Sequence, residues 1–75
     1  MKKVIIYTTE TCPYCDMAKD FLKKNNIEFI EKNVRSDPLA AKEAVEKSKQ
    51  KGVPVLDIDG TIIVGFDRQA IEEAL

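Results

Sequence analysis

Histidine and tryptophan are both absent from this 75-residue chain, and cysteine occurs only twice. A closed zinc site takes four ligands, most often cysteine and histidine, so with two thiolates and no histidine none is expected within a single chain. Neither sign of charge dominates: 12 basic and 13 acidic residues leave a net charge of −1, with the two signs interspersed. That balance offers no field to draw in nucleic acid or an anionic membrane, and neither is expected as a partner. Long apolar runs are missing as well. Lys2 and Lys3 precede only Val4-Ile5-Ile6-Tyr7 before the polar Thr8-Thr9-Glu10. A secretory segment needs roughly 7–15 apolar residues, and a membrane span about 20. The expectation is a mature chain that begins at Met1, stays in the cytoplasm and acts as a monomer. No linker, repeat or low-complexity tract interrupts it, so residues 1–75 are read as one domain.

What the chain does have is a sequence of short elements. Lys3 to Thr8 is β-branched and aromatic, apolar on both faces, as a buried strand requires. From Pro13 the period becomes helical, with Met17, Ala18, Phe21 and Leu22 forming an apolar stripe and Asp16, Lys19, Asp20, Lys23 and Lys24 facing water. Asn25-Asn26 ends that helix, and Ile27 to Val34 reads as a second strand with Ile27, Phe29 and Glu31 on one side. Ser36-Asp37-Pro38 is a helix start, with Ser36 or Asp37 as N-cap, and the helix runs from Leu39 to about Gln50 and closes at Gly52. Val53–Ile58 and Thr61–Val64 flank Asp59-Gly60, a two-residue hairpin turn. Asp67 caps a last helix whose Ala70, Ile71, Ala74 and Leu75 are apolar. This order predicts an α/β fold: a four-stranded mixed sheet with three helices, helices on both faces and the first two strands parallel.

Both cysteines lie in Cys12-Pro13-Tyr14-Cys15, where the first strand gives way to the first helix. At a helix N-terminus the unpaired N–H groups and the macrodipole favour a negative charge, so Cys12 is placed to react as a thiolate. Cys15 follows one turn later on the same face, within disulfide reach. The chemistry this predicts is thiol–disulfide exchange: Cys12 attacks an external disulfide and Cys15 resolves the mixed disulfide. Two other readings of the pair stand beside it: structural cysteines three apart by chance, or two thiolate ligands of a metal or iron–sulfur cluster shared across a dimer.

Cys12-Pro13-Tyr14-Cys15, Gly52-Val53-Pro54-Val55 and Gly65-Phe66-Asp67 together resemble the glutaredoxin family over essentially the whole chain. The resemblance implies the thioredoxin fold in its minimal βαβαββα form. It also implies a dithiol–disulfide oxidoreductase that reduces protein disulfides or glutathione mixed disulfides, with no bound cofactor and glutathione as co-substrate. Pro54 is then cis and faces the dithiol, and Val53 offers its backbone N–H and C=O to the substrate chain. Gly65-Phe66-Asp67-Arg68 resembles the family's glutathione-binding turn, with Asp67 at the γ-glutamyl end and Arg68 where many members carry a second acid. The lysine that many glutaredoxins place before the dithiol has no counterpart in Thr8-Thr9-Glu10-Thr11, and Lys51 is the cation available from across the groove. Tyr14 shapes access to Cys12, and Phe66 forms one wall. Small electron donors reduced by thioredoxin reductase share the Gly65-Phe66 pair, which leaves glutathione and thioredoxin reductase both open as the source of electrons.

Overall fold

The computed structural model describes residues 3–75. Its elements are β1 (Val4–Thr8), α1 (Pro13–Lys24), β2 (Ile30–Asn33), α2 (Pro38–Ser48), β3 (Val55–Ile58), β4 (Thr61–Val64) and α3 (Arg68–Ala74). The strands form one sheet in the order β2-β1-β3-β4. β1 pairs parallel to β2 and antiparallel to β3, and β3 pairs antiparallel to β4. This is the mixed βαβαββα architecture expected from the sequence.

Strand alternation divides the core into two layers. Val4 and Ile6 of β1, with Leu56, Ile58 and Ile63 of the hairpin, pack against Ala18 and Leu22 of α1 and Ile71 of α3. On the opposite face Tyr7 and Val55 meet Ala40 and Ala44 of α2. The small alanines bring α2 close to the sheet, and a polar network closes this thinner layer. The fully buried Tyr7 donates its hydroxyl proton to Glu43 Oε1 at 2.9 Å and accepts from Lys47 Nζ at 2.8 Å. Lys47 also donates to Asp57 Oδ2 at 2.7 Å, and Lys32 donates to Glu43 Oε1 at 3.0 Å. Both lysines also lie over the Tyr7 ring, at 5.9 Å for Lys32 and 5.2 Å for Lys47.

Several boundaries differ from the sequence expectation, each for a local reason. The second strand begins at Ile30 rather than Ile27. Ile27 and Phe29 instead drop into the core ahead of the ladder, whereas Ile30 is half exposed on this edge strand. Helix α2 ends at Ser48, and Lys49 rather than Gly52 takes the left-handed cap at φ 62°. Ser48 and Gln50 secure that turn: the Ser48 hydroxyl donates to Ala44 O at 2.6 Å, and the Gln50 side chain donates to Gly52 O at 2.8 Å. β3 starts at Val55, so Val53 and Pro54 lie ahead of it. Met17, expected in the apolar stripe of α1, is 48% exposed. Lys19, expected to face water, is drawn into ion pairs with Asp16 and Glu31. Other local signals are observed as read. Asp37 and Asp67 cap α2 and α3 with their carboxylates, and Asp59 and Gly60 both take positive φ in the hairpin turn.

Candidate active site

The pairing registers determine where the chemistry lies. Tyr7 opposite Val55, and Val55 opposite Val64, bring three chain segments to one end of the sheet. These are the turn leaving β1, the segment entering β3 and the turn leaving β4. Cys12-Pro13-Tyr14-Cys15, Val53-Pro54 and Gly65-Phe66-Asp67 therefore converge although the last two lie some 40 to 50 residues after the first.

Cys12 is the N-cap of α1, in extended backbone at φ −117° and ψ 102°, and Pro13 begins the helix where a missing N–H is no loss. Its sulfur does what a capping oxygen normally does: it accepts the Cys15 backbone N–H at 3.1 Å. The thiol of Cys12 points across to Val53 O at 3.8 Å. Cys12 is partly exposed and Cys15 is fully buried, and both are free thiols. Burial pushes the Cys15 thiol up, to about 12, and the neighbouring Cys12 adds to this; the Thr9 backbone N–H and the Lys19 charge act the other way. One sulfur is thus accessible and steadied by a helix N-terminus, while the second waits behind it in a dry site. Such a pair can attack an outside disulfide and then close on itself.

Beside the thiols lies an open groove lined by Tyr14, Val53, Pro54, Val64, Gly65, Phe66 and Asp67. Six of the residues picked out from the sequence as substrate-contacting line it, and the Val53–Pro54 bond is cis. Gly65, at φ 80°, donates its N–H to Pro54 O at 2.8 Å and so ties the two walls together. Phe66 is held from beneath by Phe21, with ring centroids 6.2 Å apart, and Arg68 lies 5.5 Å over the Phe21 ring. Tyr14 is 62% exposed at the rim. Lys51 is exposed and does not line the groove. Sequence reasoning did not pick out Val64; its signal was its place as the outward residue ending an alternating strand. A larger hollow of about 570 Å³ lies at the opposite end of the sheet, by Val4, Ile30 and Leu75, and touches neither cysteine. Among the described residues no cluster of three or more His, Cys, Asp or Glu is placed to hold a metal ion, and no helix is long and apolar enough to cross a membrane.

Comparison with known proteins agrees with this geometry. The glutaredoxin family model matches residues 4–63. An uncharacterized glutaredoxin-like 8.6 kDa protein in the rubredoxin operon of Clostridium pasteurianum is 47% identical over 70 residues, covering 93% of each chain. The crystal structure of the thioredoxin-like protein BC3987 superposes with a TM-score of 0.92 at 32% identity, over 97% of this chain and 100% of that one. The glutaredoxin-like protein NrdH-redoxin from Escherichia coli, described as having a thioredoxin-like activity profile, superposes with a TM-score of 0.84 at 25% identity, over 95% of this chain and 92% of that one. With a dithiol at a helix N-terminus, a cis Val53–Pro54 bond whose Val53 carbonyl lies across from Cys12 and a matching family model over most of its length, this chain belongs to the glutaredoxin family of the thioredoxin superfamily.

Proposed function

We propose that this protein is a dithiol–disulfide oxidoreductase that reduces protein disulfides or glutathione mixed disulfides. One observation carries the reading: Cys12 Sγ sits partly exposed at the α1 N-terminus, accepting the Cys15 N–H at 3.1 Å, with Cys15 buried behind it. The Cys12 thiolate attacks the nearer sulfur of a substrate disulfide, and the first substrate thiol leaves with the electron pair and takes up a proton. Cys15, having lost its proton to water, then attacks Cys12 Sγ and releases the second thiol. The groove formed by Tyr14, Val53, Pro54, Gly65, Phe66 and Asp67 takes the chain that carries the disulfide, with Val53 offering its backbone and Asp67 an anion for an ammonium group. The place of work is the cytoplasm, and no resident cofactor takes part.

A second reading concerns the source of electrons. The groove lining contains no lysine or arginine, since Lys51 stands outside it, so little is there to bind the two carboxylates of glutathione. This favours a reductase that presents its own dithiol to Cys12 as the physiological donor, a reading to which the NrdH-redoxin likeness lends weight.

The test is an NADPH-coupled assay run in parallel with glutathione plus glutathione reductase and with thioredoxin reductase. Reduction of the Cys12–Cys15 disulfide in either arm supports the main reading, and the faster arm identifies the donor. Failure in both refutes it. Cys12→Ser abolishes turnover, whereas Cys15→Ser accumulates a mixed disulfide on Cys12; equal behaviour of the two contradicts the assigned roles. A charge-transfer band and stoichiometric metal in anaerobically prepared protein point instead to the cluster-binding alternative.

A further inference from the structure

The reaction above leaves unused a polar cluster one turn along α1 from Cys15. Thr8, the last residue of β1, is a polar residue buried in the core, at 0% exposure. Its hydroxyl donates to Glu31 Oε2 at 2.8 Å, and the same oxygen accepts from Lys19 Nζ at 3.0 Å. Lys19 Nζ also lies 3.6 Å from Asp16 Oδ1, and its side chain is only 21% exposed. Three elements, β1, β2 and α1, thus fix the position of one ammonium. An ordinary surface lysine has a single loose partner and contributes little. Lys19 is four residues after Cys15 on α1, so the two side chains share a helix face one turn apart.

We propose that Lys19, pinned by Asp16 and by a Glu31 that the Thr8 hydroxyl holds in place, is a positioning residue that stabilises the Cys15 thiolate in the resolving step. The inference rests on the reading of Cys15 as the resolving thiol. In the mixed disulfide Cys12 Sγ is bonded to a substrate sulfur. Cys15 must give its proton to water and attack Cys12 Sγ; the bond to the substrate sulfur breaks, and that sulfur leaves with the electron pair and takes up a proton. The substrate is reduced, and the two cysteines are oxidised to one disulfide. Burial is the chief opponent of the Cys15 anion, and in the dithiol form the Cys12 sulfur reinforces it. Once Cys12 is tied to substrate it carries no charge, so its Coulombic opposition disappears. What then faces burial is the Thr9 N–H and the Lys19 ammonium. The cluster keeps that ammonium charged: the hydrogen bond to Glu31 raises the Lys19 pKa, and the Thr8 hydroxyl, followed by Lys19, holds Glu31 below the usual carboxylate range. Because Glu31 and Asp16 share the charge, its net effect on Cys15 is moderate, about five- to tenfold in thiolate population.

The experiment is single-turnover reduction of a symmetric peptide disulfide by the full-length dithiol protein, with thiol release followed in time. The first thiol reports attack by Cys12 and the second reports resolution by Cys15. Lys19→Met, which keeps the aliphatic stem, should leave the first release unchanged, slow the second about five- to tenfold at pH 7 and move its pH profile to the alkaline side. Lys19→Arg should restore most of the rate. Thr8→Val frees Glu31, and with it the ammonium, without altering any charge and should give intermediate slowing, which keeps the test decisive should Lys19→Met not fold. Second release within twofold of the parent in these variants, on an unshifted pH profile, overturns the proposal while leaving the dithiol reading intact. Absence of any mixed disulfide on Cys12 in Cys15→Ser overturns the dithiol reading itself.

Discussion

Removing one oxygen atom from Tyr7 tests whether the thin layer under α2 depends on its polar network. Tyr7→Phe keeps the buried ring, its packing and its position between Lys32 and Lys47, and deletes only the hydroxyl that bonds Glu43 at 2.9 Å and Lys47 at 2.8 Å. A hydrogen bond to a charged partner contributes roughly 1.5–3 kcal/mol, so the gross loss is about 3–6 kcal/mol. Neither partner is orphaned, however. Lys47 keeps Asp57 at 2.7 Å and Glu43 keeps Lys32 at 3.0 Å, with side-chain exposures of 31% and 43% that admit water. The net cost expected is therefore about 1–2 kcal/mol, which for a domain of this size lowers Tm by about 5–15 °C. Thermal melts followed by far-UV circular dichroism suit a chain without tryptophan. A Tm within 2 °C of the parent would refute the argument, because the hydroxyl would then be interchangeable with water.

The pH dependence of the same network has a definite sign. Burial disfavours both charges of the Lys47–Asp57 pair, yet the hydrogen bond between them, with those from Tyr7 and the Gly60 N–H, prevails. Lys47 is raised to about 12 and Asp57 is held below its ordinary range. The Lys47 contribution is therefore complete below the ordinary lysine value and is lost as pH rises toward 12, and the Asp57 contribution is complete above the ordinary carboxylate value and is lost as pH falls below it. Tyr7→Phe removes one of the interactions that raise Lys47, so the alkaline loss should become smaller in that variant.

Three further substitutions probe other parts of the chain. Lys49→Gly relieves a left-handed residue at φ 62° and should raise stability by about 0.5–1 kcal/mol in urea titration; no gain would mean that Ser48 and Gln50 already offset the strain. Gly65→Ala adds a methyl that meets nothing within 4 Å, so its cost of about 1 kcal/mol comes from the backbone at φ 80°, and it should impair disulfide reductase turnover as well as stability. Leu22→Ala, at a fully buried site in the larger core layer, should cost about 3 kcal/mol, and a loss under 1 kcal/mol would mean that the layer collapses to fill the gap.

The fold was largely legible because its signals are local and mutually consistent. Period-2 and period-3.6 runs alternate, Asp37 and Asp67 sit at helix starts, and Asp59-Gly60 demands a tight hairpin. The groove was legible for a different reason: the hairpin register carries Gly65 to Pro54, so segments far apart in sequence could be grouped through the family resemblance. What escaped depends on tertiary neighbours. Helical spacing puts Lys19 on the polar side of α1, and nothing in the sequence shows that an edge-strand glutamate, itself held by a buried threonine, reaches it. The left-handed turn falls at Lys49 because Ser48 and Gln50 hold the chain there, three residues before the glycine that the helix-ending rule picks out. Lys51, the cation that its place next to Gly52 suggests, is not among the residues that line the groove.

The sulfur of Cys12 is the cap of α1 and, in the proposed cycle, also the atom that changes bonding partner. A capping oxygen elsewhere is a bystander to chemistry, whereas this sulfur would be consumed and regenerated in each turnover. As a thiolate it is a strong acceptor for the Cys15 N–H, and as a disulfide sulfur it is uncharged and a weak one. The proposed chemistry therefore makes the first turn of α1 tighter with Cys12 as thiolate than with Cys12 in a disulfide. By linkage, whatever steadies that turn also favours the reduced state. The Cys15 amide proton should report this directly, exchanging with solvent faster after oxidation while amides in the second half of α1 keep their rates.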